Sequence, residues 1–398
     1  CDCDSDGSEN FVCNPDSGQC ECKRNVEGRA CDHCKLYYYG IHTGQGCTSC
    51  NCDVTGSLNL TCDDVTGKCY CKPGVEDVST DKCEECQQNY FNFTEEGCKA
   101  CNCNDAGSRS LQCHNTTGEC PCKLYTTGTK CSRCSNGTFS LEKANPNGCI
   151  PCFCFNRSKE CSAESGYTLS QIKQSNVTVP AHGYAKLSRK FQGYQLYSYV
   201  RVFEVNLTTT SNVTEMELQL QGVEHNASLR LTTSQCDTYQ EDKYCVVLHE
   251  AYTREKLTAN QMQSILADVN DAALNAGSSL GNGTETSIAM GTAIASDHGR
   301  QAGHVERCEC PGHYKELSCQ NCNTGFTRNI SNSYAFVSCV PCFCNNRSKE
   351  CDGETGKCVD CRLSKGDHCE TCGFGVDINT GCQQCLPEYW HPDIAKEE

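Results

Sequence analysis

The sequence predicts small disulfide-rich modules in tandem, plus one all-β sandwich domain (with one helix) inserted into the fourth module. Three observations lead there. Forty-three of the 398 residues are Cys, a density that marks a disulfide scaffold. These cysteines recur in one eight-membered order with a period of about fifty residues, the mark of a repeat architecture. Residues 162–307 break that rhythm, holding only Cys236 and Cys245.

Apolar residues make up 37% of the chain and there is one Trp, so one core spanning the chain is not available. Small modules bury too little surface to fold on contacts alone, and covalent staples make up the difference. So many thiols imply an oxidising, extracytosolic compartment. Twelve Asn-x-Ser/Thr acceptors agree: Asn59, Asn92, Asn115, Asn136, Asn156, Asn176, Asn206, Asn212, Asn226, Asn282, Asn329 and Asn346. The net charge of −16 argues against nucleic acid and against polybasic attraction to anionic surfaces. No apolar run approaches the roughly 20 residues of a membrane span, so no direct membrane insertion is expected. Cys1 already belongs to a module and no signal peptide precedes it, which predicts a segment of a longer secreted chain.

Cys-x-Cys opens each module. The first module (residues 1–49) uses Cys1, Cys3, Cys13, Cys20, Cys22, Cys31, Cys34 and Cys47. The second (50–100) repeats them as Cys50, Cys52, Cys62, Cys69, Cys71, Cys83, Cys86 and Cys98, and the third (101–151) as Cys101, Cys103, Cys113, Cys120, Cys122, Cys131, Cys134 and Cys149. The fourth begins with Cys152, Cys154 and Cys161 and resumes with Cys308, Cys310, Cys319, Cys322 and Cys339, so it is split into 152–161 and 308–341. The fifth (342–384) takes Cys342, Cys344, Cys351, Cys358, Cys361, Cys369, Cys372 and Cys382, leaving Cys385 to a truncated module at 385–398. Ser17-Gly18, Thr66-Gly67, Thr117-Gly118 and Thr355-Gly356 each place Gly two residues before a Cys, where positive φ is needed.

The eight-cysteine order, the Thr-Gly-x-Cys-x-Cys element and the Cys-x-x-Cys followed by an aromatic-Gly loop such as Tyr39-Gly40 resemble the laminin-type EGF-like module. Spacing alone leaves 105 pairings of eight cysteines open. The resemblance implies first-to-third, second-to-fourth, fifth-to-sixth and seventh-to-eighth bridges, hence Cys154 to Cys308 across the insertion, with Cys236 to Cys245 left as a pair inside it. A module split by a guest, flanked by Pro151-Cys152-Phe153-Cys154 and Cys308-Glu309-Cys310-Pro311-Gly312, resembles laminin domain IV of laminin short arms and perlecan. The run Leu141-Glu142-Lys143-Ala144-Asn145-Pro146-Asn147-Gly148-Cys149 is similar to the loop before that domain in γ chains, so the parent is expected to be γ-like or α-like.

In the guest (162–307), Phe203, Val205 and Leu207 alternate with polar neighbours, Met216 to Gln221 alternates cleanly, and Ala227, Leu229 and Leu231 mark a third strand. Tyr199 and Arg201 extend the first of these strands N-terminally. Cys245-Val246-Val247-Leu248 reads as a buried strand. Thr258 with Gln261 forms a capping box for a helix from Ala259 to about Ala273, with Met262, Ile265, Leu266, Val269 and Ala273 on one face.

The motifs predict no catalytic residues, metal or cofactor. Cys31/Cys34, Cys83/Cys86, Cys131/Cys134 and Cys319/Cys322 have zinc-like spacing, but the register and sequons favour disulfides. Asp4-Ser5-Asp6-Gly7-Ser8-Glu9 lacks the spacing of a calcium loop, and Lys365-Gly366-Asp367 reads as a turn. His249-Glu250 reads as a hydrogen-bonded core or rim pair. The family's nidogen-type binding loop is not found; Asn145-Pro146-Asn147 is the nearest string. The expected function is a spacer in a basement-membrane glycoprotein that contributes to cell adhesion and matrix assembly. Its partners would be other matrix or cell-surface proteins, engaged through the parent chain. The alternatives are the ectodomain of an adhesion receptor and a carbohydrate-binding module in the guest.

Two registers fit the C-terminus, because Cys382-Gln383-Gln384-Cys385 followed by Leu386-Pro387-Glu388-Tyr389-Trp390 also looks like a module's Cys-x-x-Cys and aromatic loop. Under either, one thiol lacks a partner, and an unpaired thiol in an oxidising compartment forms intermolecular bridges. The expected outcome is a dimer on non-reducing gels that vanishes in Cys385→Ser. A dimer that survives this substitution, or none in the wild type, contradicts the register.

Overall fold

The computed structural model describes residues 1–76, 81–180, 183–207, 216–236, 242–275, 284–329 and 338–386. Asn212, Asn282 and the string after Leu386 lie outside the described residues. Two compact units are present: Cys1–Cys134 with Leu141–Lys143, and Ser135–Ser140 with the chain from Ala144 onward.

The modules are built from short two-stranded hairpins, with strands of two to six residues, pinned by cystines. In the first, Ser8–Cys13 pairs with Cys20–Cys22, and Val26–Glu27 with His33–Cys34. Bridges join Cys1–Cys13, Cys3–Cys20, Cys22–Cys31 and Cys34–Cys47. The second module has the same four. In the third, Cys101–Cys113, Cys103–Cys120 and Cys122–Cys131 are bridged, and Cys134 and Cys149 are both disulfide-bonded. The sulfurs are the core: Cys31, Cys83 and Cys131 are completely buried, with Val26 and Val75 as the main aliphatic additions. Three of the Ser/Thr-Gly loops are Asx turns, on Asn14, Asp63 and Asp352, and at Thr117-Gly118 the His114 ring nitrogen accepts in the same way. Asp63 Oδ1 accepts from Thr66 N at 2.7 Å and Thr66 Oγ1 at 2.7 Å, while Gly67, at φ +73°, donates to Asp63 O. These bonds hold the Asp63 carboxyl below its ordinary range, the Thr66 backbone bond contributing most.

Among the described residues, the two sheets of the guest hold eight strands, joined by one α-helix: β1 Tyr167–Val179, β2 Ala185–Lys186, β3 Val202–Leu207, β4 Met216–Gln221, β5 Asn226–Leu231, β6 Lys243–Val247, α1 Ala259–Ala267, β7 Asp271–Asn275 and β8 Thr284–Ala295. They form two antiparallel sheets ordered β1-β8-β3-β6 and β2-β7-β4-β5, which is the strand order of a jelly roll. Alternation fills the space between them: Phe203, Val205 and Leu207 from β3, Met216, Leu218 and Leu220 from β4, and Ala227, Leu229 and Leu231 from β5 are all buried. Helix α1 starts on the predicted capping box, Thr258 Oγ1 accepting from Gln261 N. Its Met262, Ile265 and Leu266 complete the core.

Three elements differ from the sequence reading. The helix stops at Ala267 rather than near Ala273, because Val269 pairs with Gly193 and Ala273 belongs to β7. In β7 the buried face is Ala272 and Leu274, and Ala273 turns outward opposite Gln219, so sheet pairing overrides the helical period. Tyr199 and Arg201 precede β3 in a turn rather than extending it. The long pair β1 and β8 had no clear alternation to announce it, since Ser170, Gln171, Gln174 and Thr292 interrupt the apolar positions.

Leu229 is fully buried between the sheets. Leu229→Ala is expected to destabilise the guest by about 2–5 kcal/mol. This would be read as a lower denaturant midpoint for exchange of the β4 and β7 amides, with module amides unchanged. A cost under about 1 kcal/mol contradicts the assigned core.

Candidate functional site: the joints between modules

One joint recurs. In the first module, Tyr39 stands five residues after Cys34, and its ring covers Gly67 of the second; a Cβ built on Gly67 would meet ring atoms at 2.2 Å. Gly40 N donates to Asp64 O at 2.8 Å. Lys82 closes the other side, 5.5 Å from the Tyr39 ring centre and 3.0 Å from Gly67 O. The next joint repeats each part. Phe91 covers Gly118, Asn92 N donates to Asn115 O at 2.8 Å, and Lys130 lies 5.4 Å from the Phe91 ring and 2.9 Å from Gly118 O. In the other unit, Thr327 takes the aromatic's place over Gly356, and Arg328 N donates to Gly353 O at 2.9 Å. Positive φ and a ring in van der Waals contact both demand glycine at Gly67 and Gly118.

The third module's counterpart of Tyr39 and Phe91 is Phe139. The split leaves no Thr-Gly loop for it in the fourth module, and Phe139 is instead buried in the guest's core together with Ile150. A polar clasp lies nearby. Glu250, 11% exposed, accepts from Tyr199 OH at 2.6 Å and from Asn147 Nδ2 at 2.9 Å. His249 is fully buried, stacks on Tyr199 and uses Nδ1 to accept from Ala251 N, which leaves Nε2–H to face Glu250 Oε1 at 3.4 Å. Asn147 belongs to the loop singled out as γ-like. Sequence reading did not foresee its junction with His249-Glu250, a contact across about a hundred residues that no local pattern announces.

The split module is closed by a neck. Cys161–Ala163 pairs with Glu306–Cys308, Cys161 opposite Cys308. Bridges join Cys152–Cys161 and Cys154–Cys308, the latter with Cα atoms 5.8 Å apart. Cys154, Phe155 and Asn156 all have positive φ, and the turn aims Phe153 N and Cys154 N at the buried Glu306 carboxylate, at 2.9 and 3.1 Å. Burial raises the carboxyl's pKa, against the pull of hydrogen bonds from Ser318, Phe153 and Cys154. Glu164 and Arg307 form an ion pair beside it. Cys154, Glu306 and Cys308 cluster as metal ligands would, but both sulfurs are spent in the bridge.

Elsewhere, Cys236–Cys245 links the turn that follows β5 to β6. Cys310–Cys319, Cys322–Cys339, Cys342–Cys351, Cys344–Cys358, Cys361–Cys369 and Cys372–Cys382 are bridged, and Cys385 is free and half-buried. Asn59, Asn115, Asn176, Asn226 and Asn346 are exposed, whereas Asn206, on the outer face of a central strand, is half-buried. Asn136 and Asn156 are exposed too, and Asn92 and Asn329 are half-buried. The Asp4 carboxylate is occupied by Asp6 N and Gly7 N as an Asx turn.

Two buried histidines set an acid limit on the guest. Burial pushes His249 down to about 4 and His304 down to about 3, Arg201 adding to the latter. Both are neutral when folded and protonate near 6.5 when unfolded, so their contribution is full above pH 6.5 and is lost as pH falls toward 4. Glu250 and Glu306 have raised folded pKa values, so they act oppositely, with stability lost as pH rises above 4.5. His304 Nε2 donates to Tyr197 O at 2.9 Å, a bond that a glutamine amide can keep. His304→Gln is expected to recover at least about 1 kcal/mol of the stability lost between pH 6.5 and 4.5. An unchanged acid slope in urea titrations contradicts the neutral buried His304.

The laminin EGF domain model matches residues 1–47, 50–98 and 101–149, and the laminin B (domain IV) model matches 184–306. Laminin subunit alpha-1 of Mus musculus is 28% identical over 99% of this chain and 18% of its own length. Laminin subunit alpha-3 of Homo sapiens is 30% identical over 97% of this chain and 14% of its own. The basement membrane-specific heparan sulfate proteoglycan core protein of Mus musculus is 28% identical over 99% of this chain and 9% of its own. The chain thus spans less than a fifth of the length of each of these relatives. With its eight-cysteine modules and a guest carried between Cys154 and Cys308, this chain is built of laminin EGF domains and a laminin domain IV.

Proposed function

We propose that the chain is a stiff structural spacer of the extracellular matrix, without catalytic activity, that keeps neighbouring domains of its parent at fixed separation. The modules would act with the boundaries read from the sequence, and the disulfide pairs would serve as their permanent cores. The observation that carries this reading is the recurring joint: an aromatic ring over a glycine, a lysine over the ring and one backbone hydrogen bond, in the same register at Tyr39/Gly67 and Phe91/Gly118. A flexible string would need no such register, and its linkers would be polar and free of packing. The residues Phe139 and Asn147 extend the same logic to the guest, which they tie down by a buried ring and by the Glu250 clasp. Binding to other matrix or cell-surface proteins would be a property of the parent, with this segment setting the geometry. An acceptor at Asn206 would be available on the outer face of β3.

Phe91→Ala removes the ring, and Gly118→Val forces a β-branched residue into positive φ at a cost of about 1–2 kcal/mol and into the space of Phe91. Both variants should keep all four cystines of each module and lose the fixed orientation of the second module against the third. Residual dipolar couplings of a segment covering residues 50–151, which holds every cysteine of both modules, read this directly. Wild type should fit one orientation tensor and the variants two. A wild type that already needs two tensors overturns the spacer reading.

A further inference from the structure

The outward face of the β2-β7-β4-β5 sheet is polar. Register places Gln221 of β4 between Asn226 of β5 and Asp271 of β7, and Gln219 between Ser228 and Ala273. The segment after β6 crosses the free edge of β5: Leu229 pairs with Thr253, Arg254 N donates to Ser228 O, and the Glu255 carboxylate accepts from Ser228 N at 2.9 Å. Glu255 thereby walls this part of the face into a groove of about 310 Å³, the lower end of the size range of small-ligand sites. Its floor is lowered by Ala273 and its lining is amide, hydroxyl and carboxylate. Among the described residues, the Gln221 side-chain amide has no hydrogen-bond partner. Such a lining suits a ligand rich in hydroxyls and amides and repels an apolar one.

Asn226 is itself one of the lining residues, and Asn226-Ala227-Ser228 is a glycosylation acceptor. Asn226 is exposed and directly follows the Gly222–His225 turn. We infer that the groove is the seat of the chain's own N-linked glycan: the sugar attached at Asn226 lies across Gln221 toward Asp271, its acetamido and hydroxyl groups bonded to the groove's amide and carboxylates. In the attachment step a bond forms between Asn226 Nδ2 and the sugar's C1. The C1–O bond to a lipid-linked pyrophosphate donor breaks, the pyrophosphate leaves with its electron pair, and the amide proton passes to solvent. The spacer reading is not needed; only passage through a secretory compartment is. An occupied groove is closed to external saccharides, which separates this inference from a lectin-like role for the guest.

The test uses the whole secreted chain. Glycopeptide mass spectrometry gives occupancy, and a time course with a glycan-releasing amidase compares Asn226 with the occupied, exposed module sites, Asn59 or Asn115. Release from Asn226 should be at least about tenfold slower in the native protein, a seating preference of ordinary binding size, and equal after reduction and denaturation. Gln221→Ala with Asp271→Ala leaves the acceptor intact and should bring the native rate at Asn226 up to that of the module sites, while backbone hydrogen exchange in β3 and β8 stays protected. An unoccupied Asn226, equal native rates in the wild type, or slow release that persists in the double variant overturns the inference.

Discussion

The antiparallel pairing of the guest's first and last strands is the constraint on which the rest depends. β1 and β8 run side by side along most of their length, Tyr167 opposite Ala295 and Val179 opposite Thr284. Both ends of the domain therefore leave it at one place. The neck strands Cys161–Ala163 and Glu306–Cys308 pair there, and Cys154–Cys308 closes the split module as if nothing had been inserted. A domain with distant termini would tear the module apart, whereas a jelly roll of this order occupies a single loop. Closing the guest's long loop also restricts the unfolded chain, and long loops gain most from such a link, at about 4–5 kcal/mol in the chain-entropy account.

The modules and the guest are stabilised by different means. Cystine sulfur is the interior of each module, and isolated two-stranded hairpins this short could not persist without it. The guest holds a conventional apolar interior between two sheets, with one peripheral cystine. Aromatic residues five positions after the Cys-x-x-Cys mediate between these two economies. They lean on glycine where a module follows, and in Phe139 they enter the guest's core. One sequence position thus does both jobs, and the neighbour's composition decides which.

Much of this was legible before any coordinates. The eight-cysteine order located the modules, the interruption between Cys161 and Cys308 located the guest, and Thr258 with Gln261 located the start of its helix. Strands with clean alternation, Met216–Gln221 and Asn226–Leu231, were legible too. What stayed hidden was set by distant partners. β1 and β8 are long but chemically mixed, because one face of each meets solvent irregularly around a bulge between Gln174 and Val177. The helix end was hidden since Val269 and Ala273 suit a strand as well as a helix. The Asn147–Glu250–Tyr199 clasp and the Glu306 anchor join residues about fifty to 150 positions apart, and nothing in local composition signals them.

Disulfide mapping of the unreduced protein tests the split-module account most directly. Proteolysis without reduction followed by mass spectrometry should yield Cys154 joined to Cys308, and Cys236 joined to Cys245, as separate bridged peptides. Cys154 joined to Cys236 would contradict the account, for the guest would then be stitched to the module at its middle and its two ends would no longer be clamped together.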